Sequence, residues 1–251
     1  MRFAHVWMMF WPAMVISWDL RASYQFVEKQ SRRWAIDDSH NHLHSKEVLF
    51  WSKDIMDRLP FSLLREDRVL VGRCCLLHDM MDSKYVDLSM ETEQHLLVEG
   101  HTAEEIRLMM RIMQSMSYSK IVAPDKSRIQ FPVWEDGRQE ILFHIVREAD
   151  LLSSYNLARM IEFRSGMPSE QIRQEIMDLY EVRMGRLVQD GLFYFPSTRE
   201  RAMQLDALCR LRLTLLPDLD LRSPHQLDIL RIVNHLSIDR LLREYHHRVC
   251  R

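Results

Sequence analysis

At 251 residues, 47% hydrophobic and 28% charged, the chain is long enough to bury a sizeable core, and its composition argues against wholesale disorder. Six Gly and eight Pro leave few of the turns that a many-stranded sheet needs, which points to helices. The net charge of −2 gives no bulk reason to expect nucleic acid, although 28 of the 34 basic residues are Arg, whose planar fork suits phosphate; solvated helix faces are the plainer use for most of them.

From Phe3 to Trp18 the chain runs mostly apolar, interrupted by His5 and Pro12 and closed by Asp19. The run is short for a bilayer span, and Ala22-Ser23 is a poor cleavage site. A packed or interfacial helix over residues 1–20 is therefore favoured over a membrane or secretory segment. Helical periods follow around 44–58, 66–80 and 139–163. Residues 82–100 are acidic and aperiodic, which predicts a loop or lid. Thr102-Ala103-Glu104-Glu105 reads as a capping box, with Ile106, Met109, Met110, Met113 and Met116 as the apolar stripe of the helix behind it. Residues 120–138 predict a long connection with a short hairpin, and Pro168-Ser169-Glu170 opens a helix that ends near Gly191. Residues 191–197 form an aromatic turn. Ser197-Thr198-Arg199-Glu200 and Ser223-Pro224-His225-Gln226 predict further capped helices, the last carrying Leu227, Leu230, Ile232, Leu236 and Leu241. The four cysteines (74, 75, 209 and 250) show no C-x-x-C spacing, so a reduced intracellular protein is expected, with no disulfide framework.

Three segments combine ionisable residues with apolar helical surroundings. The first is His40-Asn41-His42-Leu43-His44, in which only His40 and His44 share a helix face. The second is Leu76-Leu77-His78-Asp79, at the polar end of an apolar run. The third is Arg147-Glu148-Ala149-Asp150-Leu151. Each alone has a plain structural reading: a hydrogen-bonded histidine at a helix end, or an aspartate pairing with an arginine. In order, however, they make His, then His-Asp, then Asp on successive helices, and burying such groups is costly without a partner or a cation.

That ordered set resembles the HD phosphohydrolase superfamily, and its flanks are similar to the bacterial YedJ-like branch. The matching stretches are Ser39-His40-Asn41 with His44 and Val48, Leu77-His78-Asp79, Ser117-Tyr118-Ser119-Lys120, Arg147 to Leu151, Tyr180-Glu181 with Arg183, Met184, Arg186 and Leu187, and Thr198-Arg199 with Ala202. Asn41 and Leu151-Leu152 depart from that branch, which often carries Asp and Arg-Leu there. The resemblance implies an all-α HD-domain helical bundle over residues 21–165, with a C-terminal helical extension over 166–251. It also implies one divalent metal ion (Mn, Fe, Co, Ni, Zn or Mg) on His44, His78, Asp79 and Asp150, and hydrolysis of a phosphomonoester or phosphodiester of a nucleotide or small metabolite by a metal-activated water.

Asp82 and Lys84 are then expected in catalysis, and His40, Lys120 and Arg147 at the substrate. Asp82 could equally cap a loop, and Lys84 and Lys120 could be solvated lysines. The partner is a small phosphorylated substrate; no specific nucleic acid is expected, membrane contact through residues 1–19 is not favoured, and a cytoplasmic location follows. Alternatives are an inactive HD-fold scaffold and a diiron oxygenase. The oxygenase needs extra ligands that His95 and His101 do not resemble. His42 is expected to face solvent, and the His246-His247 pair to lie on the surface.

Overall fold

The computed structural model describes residues 18–37, 40–81, 86–123, 129–164, 166–214 and 216. Asp82, Lys84, the expected helix over 223–241, His246, His247, Cys250 and nearly all of the N-terminal apolar run lie outside them. The fold is all-α. Among the described residues the helices are α1 (Trp18–Arg33), α2 (His42–Asp57), α3 (Arg65–Leu77), α4 (Ser89–Val98), α5 (Ala103–Ser115), α6 (Tyr118–Ile121), α7 (Gly137–Ser153), α8 (Leu157–Phe163), α9 (Ser169–Val182) and α10 (Pro196–Leu213). Tight 3₁₀ turns occupy His78–Met81 and Met184–Arg186. Among these residues, no helix is long and apolar enough to cross a membrane.

The centre is a packed trio in which α2 lies along both α3 and α7. Val48, Trp51 and Ile55 of α2, Val71, Cys74, Leu76 and Leu77 of α3, and Leu142, Phe143, Ile145 and Val146 of α7 are all essentially inaccessible to water. Burying a large aliphatic or aromatic side chain contributes roughly 1.5–3 kcal/mol, so this trio fixes the scaffold. α1 and α5 cover α3, and α10 packs on α7. Gly72 is where α3 meets α1: a Cβ there would stand 2.7 Å from Leu20 Cδ1. Cys74, Cys75 and Cys209 are free thiols buried in this core.

Local chemistry explains where the helices start and stop. The Thr102 capping box forms as expected, with Glu105 N–H donating to Thr102 Oγ1 at 3.2 Å and Thr102 N–H to Glu105 Oε2 at 2.8 Å. Met109, Met113 and Met116 are core residues behind it. The period expected over 139–163 splits instead into α7 and α8. Ser153 and Ser154 hydroxyls bond back to the Asp150 and Leu151 carbonyls, and Asn156 Oδ1 accepts the Arg159 N–H at 3.3 Å to cap α8. Such short side chains compete with the helical ladder.

The expected loop over 82–100 contains α4, anchored by buried Leu88, Thr92 and Leu96. Asp87 Oδ1 accepts the Ser89 N–H at 3.0 Å at its start. At its end Gly100, at φ +87°, takes the left-handed conformation of a Schellman cap: Gly100 N–H donates to Leu97 O at 3.0 Å and His101 N–H to Leu96 O at 3.2 Å. α9 ends at Val182, before Gly191, where the chain tightens into the Met184–Arg186 turn. α10 begins at Pro196 in its first turn, without the side-chain cap expected from Ser197. Among the described residues of the connection over 120–138 lies an isolated antiparallel bridge, Val122 to Ile129.

Candidate metal centre

The three segments singled out in the sequence meet where α2 begins and where α3 and α7 end. Asn41 caps α2, its Oδ1 accepting the Leu43 N–H at 2.8 Å, and this sets His44 in the first turn. α3 tightens into the 3₁₀ turn at His78, so His78 and Asp79 project from its C-terminal end. Asp150 comes from the last turn of α7. Two helix C-termini, each carrying partial negative charge, therefore border the cluster, an arrangement that favours a cation.

The donor atoms are close. His44 Nε2 lies 3.3 Å from His78 Nε2, 3.4 Å from Asp79 Oδ2 and 3.3 Å from Asp150 Oδ1. His78 Nε2 lies 3.3 Å from Asp79 Oδ1 and 3.8 Å from Asp150 Oδ1. His44, His78 and Asp79 offer ligand atoms all within 4.8 Å of one another, and Asp150 stands beside them as a fourth donor. His78 Nδ1 is 2.9 Å from Cys75 O; a carbonyl only accepts, so Nδ1 carries the proton and Nε2 presents its lone pair to the cluster. Asp79 Oδ2 is buried without a hydrogen-bond partner. A carboxylate oxygen left without a donor is costly, and a cation would satisfy it. This donor set fits a divalent ion that accepts imidazole and carboxylate.

Burial and neighbouring charge shift three of the four donors. Burial lowers the His44 pKa well below its usual value, and the positive charge of Arg159 lowers it further, so the ring is neutral. Burial alone would raise Asp150, but the hydrogen bond from His44 and the nearby His78, His44 and Arg159 outweigh it, and its pKa falls. Asp79 is raised by burial, with His78 and His40 opposing.

The cluster opens into a cleft of 230 Å³ lined by His40, His44, Asp79 and Asp150 together with three arginines, Arg159, Arg164 and Arg183. A larger hollow of 660 Å³ between α9 and α10 shares none of these residues. None of the three arginines was singled out for this site in the sequence, because α8 and α9 reach it only through the turn at 154–156. Arg159 bridges two parts of the site: its Nη1 is 2.7 Å from His44 Nδ1, and its Nη2 donates to Ser153 O at 2.8 Å. Glu47, also missed, stands 3.7 Å from Arg159 Nε and accepts the Asn156 amide at 3.0 Å. Arg164 donates to Glu175 at 2.9 Å, and the Arg183 guanidinium lies 4.6 Å over the Tyr118 ring.

The remaining expected residues fall in different places. His40 lines the cleft, its ring centroid 6.0 Å from that of His44. Lys120 is exposed and its ammonium donates to Gln114 O; it does not line the cleft. Arg147, expected at the substrate, is buried elsewhere. Its guanidinium donates to Leu192 O at 2.6 Å and Glu148 Oε1 at 3.0 Å, lies 3.0 Å from His144 Nδ1, and sits 4.8 Å over the Phe131 ring. Three residues before Asp150 on the helix, it faces the 191–195 segment. His42 is half-buried, its ring edge toward Tyr24, where solvent was expected. His95 stacks on Phe26 and pairs with Glu99, and His101 pairs with Glu105; neither belongs to the metal-donor group. No protein-family model, curated protein or solved structure matches the chain.

Proposed function

We propose that the protein is a metal-dependent hydrolase of the HD type, acting on a phosphate ester of a nucleotide or another small phosphorylated metabolite. One observation carries this reading: two imidazoles and two carboxylates, one of them with an orphaned buried oxygen, converge at a cleft that also presents three arginines. His44, His78, Asp79 and Asp150 would together hold one divalent ion. Bound there, it would supply Lewis acidity toward phosphorus and lower the pKa of a water molecule. The arginines would orient the phosphate oxygens, to which guanidinium donates in pairs. His40, at the mouth of the same cleft, would contact the substrate. Asp82, three residues after Asp79 in the sequence, is assigned to positioning or deprotonating the attacking water on the strength of the HD resemblance, with Lys84 as a second candidate in catalysis.

Metal analysis of the purified protein, followed by a phosphatase and phosphodiesterase panel with Mn²⁺, Co²⁺, Ni²⁺ or Mg²⁺, tests the reading. Metal-dependent release of phosphate or alcohol supports it. A protein that binds no metal and stays inactive after reconstitution overturns it and favours a binding module. Asp82→Asn is expected to lose turnover while retaining metal; loss of metal would remove Asp82 from its assigned role.

A further inference from the structure

The fit of the donor set has one exception, and it lies at His44. A guanidinium N–H only donates, so Arg159 Nη1 at 2.7 Å requires an unprotonated Nδ1 on His44. With Nδ1 taken up as an acceptor, the ring carries its proton on Nε2. From there it faces Asp150 Oδ1 at 3.3 Å. The resulting chain is Arg159 to His44 to Asp150, each link with a donor and an acceptor. His78 is arranged the opposite way, with its proton on Nδ1 toward Cys75 O and its Nε2 lone pair turned to the cluster.

A histidine that ligates a cation through Nε2 must carry its proton on Nδ1. In His44 that proton would point at an arginine N–H, two donors 2.7 Å apart. The Arg159 contact and ligation by His44 Nε2 are therefore mutually exclusive in this geometry. Arg159 has other anchors that survive its release: Ser153 O at 2.8 Å, Ser153 Oγ at 3.3 Å and Glu47 at 3.7 Å. It also already lines the cleft.

We propose that Arg159 is a metal-coupled positioning residue, bonded to His44 Nδ1 before the ion binds and turned to the phosphate of a substrate afterwards. The inference rests on the reading that the cluster binds a divalent ion. The proton change is balanced: His44 loses a proton from Nε2 and takes one up at Nδ1, so the ring stays neutral. Arg159 keeps its charge throughout. The consequence is an ordered site. The guanidinium becomes available to phosphate oxygens only once His44 is a ligand, so phosphate binding and metal binding reinforce each other.

Three measurements on the full chain test this. Long-range imidazole ¹⁵N correlation spectra, with the His44 signal identified through His44→Gln, should show the Nε2–H form without metal and the Nδ1–H form with Zn²⁺. This needs no Arg159 variant. In calorimetric titration, Arg159→Met should bind Mn²⁺ roughly threefold to tenfold more tightly than wild type, because no hydrogen bond has to be broken. The Mn²⁺-loaded variant should bind inorganic phosphate about tenfold more weakly, because a charge-assisted contact is gone. An Nδ1–H form of His44 already present without metal would overturn the proposal while leaving the metal reading intact. So would weaker Mn²⁺ binding by Arg159→Met in a folded protein. Failure of the wild type to bind either ion overturns both.

Discussion

Two buried polar clusters draw on the same helix, α7, and they are built on opposite principles. Around Arg147, Glu148 and His144 the cluster is closed. Glu148 Oε1 receives Arg147 Nη2 at 3.0 Å and the Tyr194 N–H, while Oε2 receives the Phe195 N–H at 3.4 Å. His144 stacks on Tyr194, with centroids 4.1 Å apart, and takes the Arg147 contact on Nδ1. Around His44, His78, Asp79 and Asp150 the cluster is acceptor-rich. It opens to a cleft, and Asp79 Oδ2 is buried without a hydrogen-bond partner. Desolvation penalises both clusters. The first pairs its carboxylate with its own arginine and with backbone N–H groups of the 191–195 segment, which fastens that segment to the bundle, although burial still lifts Glu148 to about 7 and Arg147 Nε is left without a partner. The second leaves Asp79 Oδ2 without a hydrogen bond, an oxygen that a cation would satisfy.

The largest expected effect breaks the open cluster. Asp79→Ala should abolish stoichiometric binding of divalent metal and reduce any phosphoesterase activity by ~10³-fold or more, since several kcal/mol of transition-state stabilisation depend on the ion. Metal added at a hundredfold excess over its dissociation constant should stabilise the wild type by about 2.7 kcal/mol by mass action and leave Asp79→Ala unchanged. Thermal melts with and without Mn²⁺ read both outcomes. A metal-induced stabilisation that persisted in Asp79→Ala would place the ion elsewhere.

Breaking the closed cluster should show the converse pattern. Arg147→Met leaves Glu148 buried without its cation, at a cost of about 3–5 kcal/mol, while the metal stoichiometry of the folded fraction stays as in the wild type. Urea denaturation with parallel metal analysis measures the two together. If Arg147→Met unfolded no more readily but lost phosphate binding, the residue would belong to the substrate site after all.

The smallest effect sharpens the comparison through pH. Burial, and then the charge of Arg147, hold His144 down to about 3, against an ordinary value of 6.5. The folded pKa is depressed, so the unfolded chain takes up the proton first. The stability this group contributes is therefore complete above pH 6.5 and is lost as pH falls from there toward 3. Over the first one and a half pH units below 6.5 the loss comes to about 2 kcal/mol. His144→Phe, which keeps the ring against Tyr194, should flatten that part of the stability profile relative to wild type. An unchanged slope in chemical denaturation between pH 6.5 and 5 would show that His144 does not carry it.

Much of the candidate centre was legible because its signal is local. His44, His78, Asp79 and Asp150 stand out as ionisable residues set in apolar helical runs, and their polar atoms do converge 3.3–3.8 Å from the two histidine Nε2 atoms. Arg159, Arg164, Arg183 and Glu47 gave no such signal. An arginine on a solvated face and one lining a cleft have the same neighbours in sequence, and only the break at Asn156 turns α8 toward the site. Arg147 shows the reverse case. Its place in the motif beside Asp150 suggested a substrate contact, but on the helix it points away from Asp150, toward the Leu192 carbonyl. The loop expected over 82–100 failed for a different reason: α4 is short and buries few residues, too few for a period to show.

By itself the sequence determined the all-helical class, the capping box at Thr102, the methionine core stripe and the order of the four candidate metal-donor residues. Each depends on propensity, capping or periodicity within a dozen residues. The tertiary structure alone decided which charged groups meet: that Arg159 reaches His44, that Arg147 closes on Glu148 and the 191–195 segment, and that one carboxylate oxygen of Asp79 is left without a donor. Those outcomes depend on contacts between residues as much as 115 positions apart. The balance of desolvation against pairing that gives each cluster its character exists only once the helices have packed.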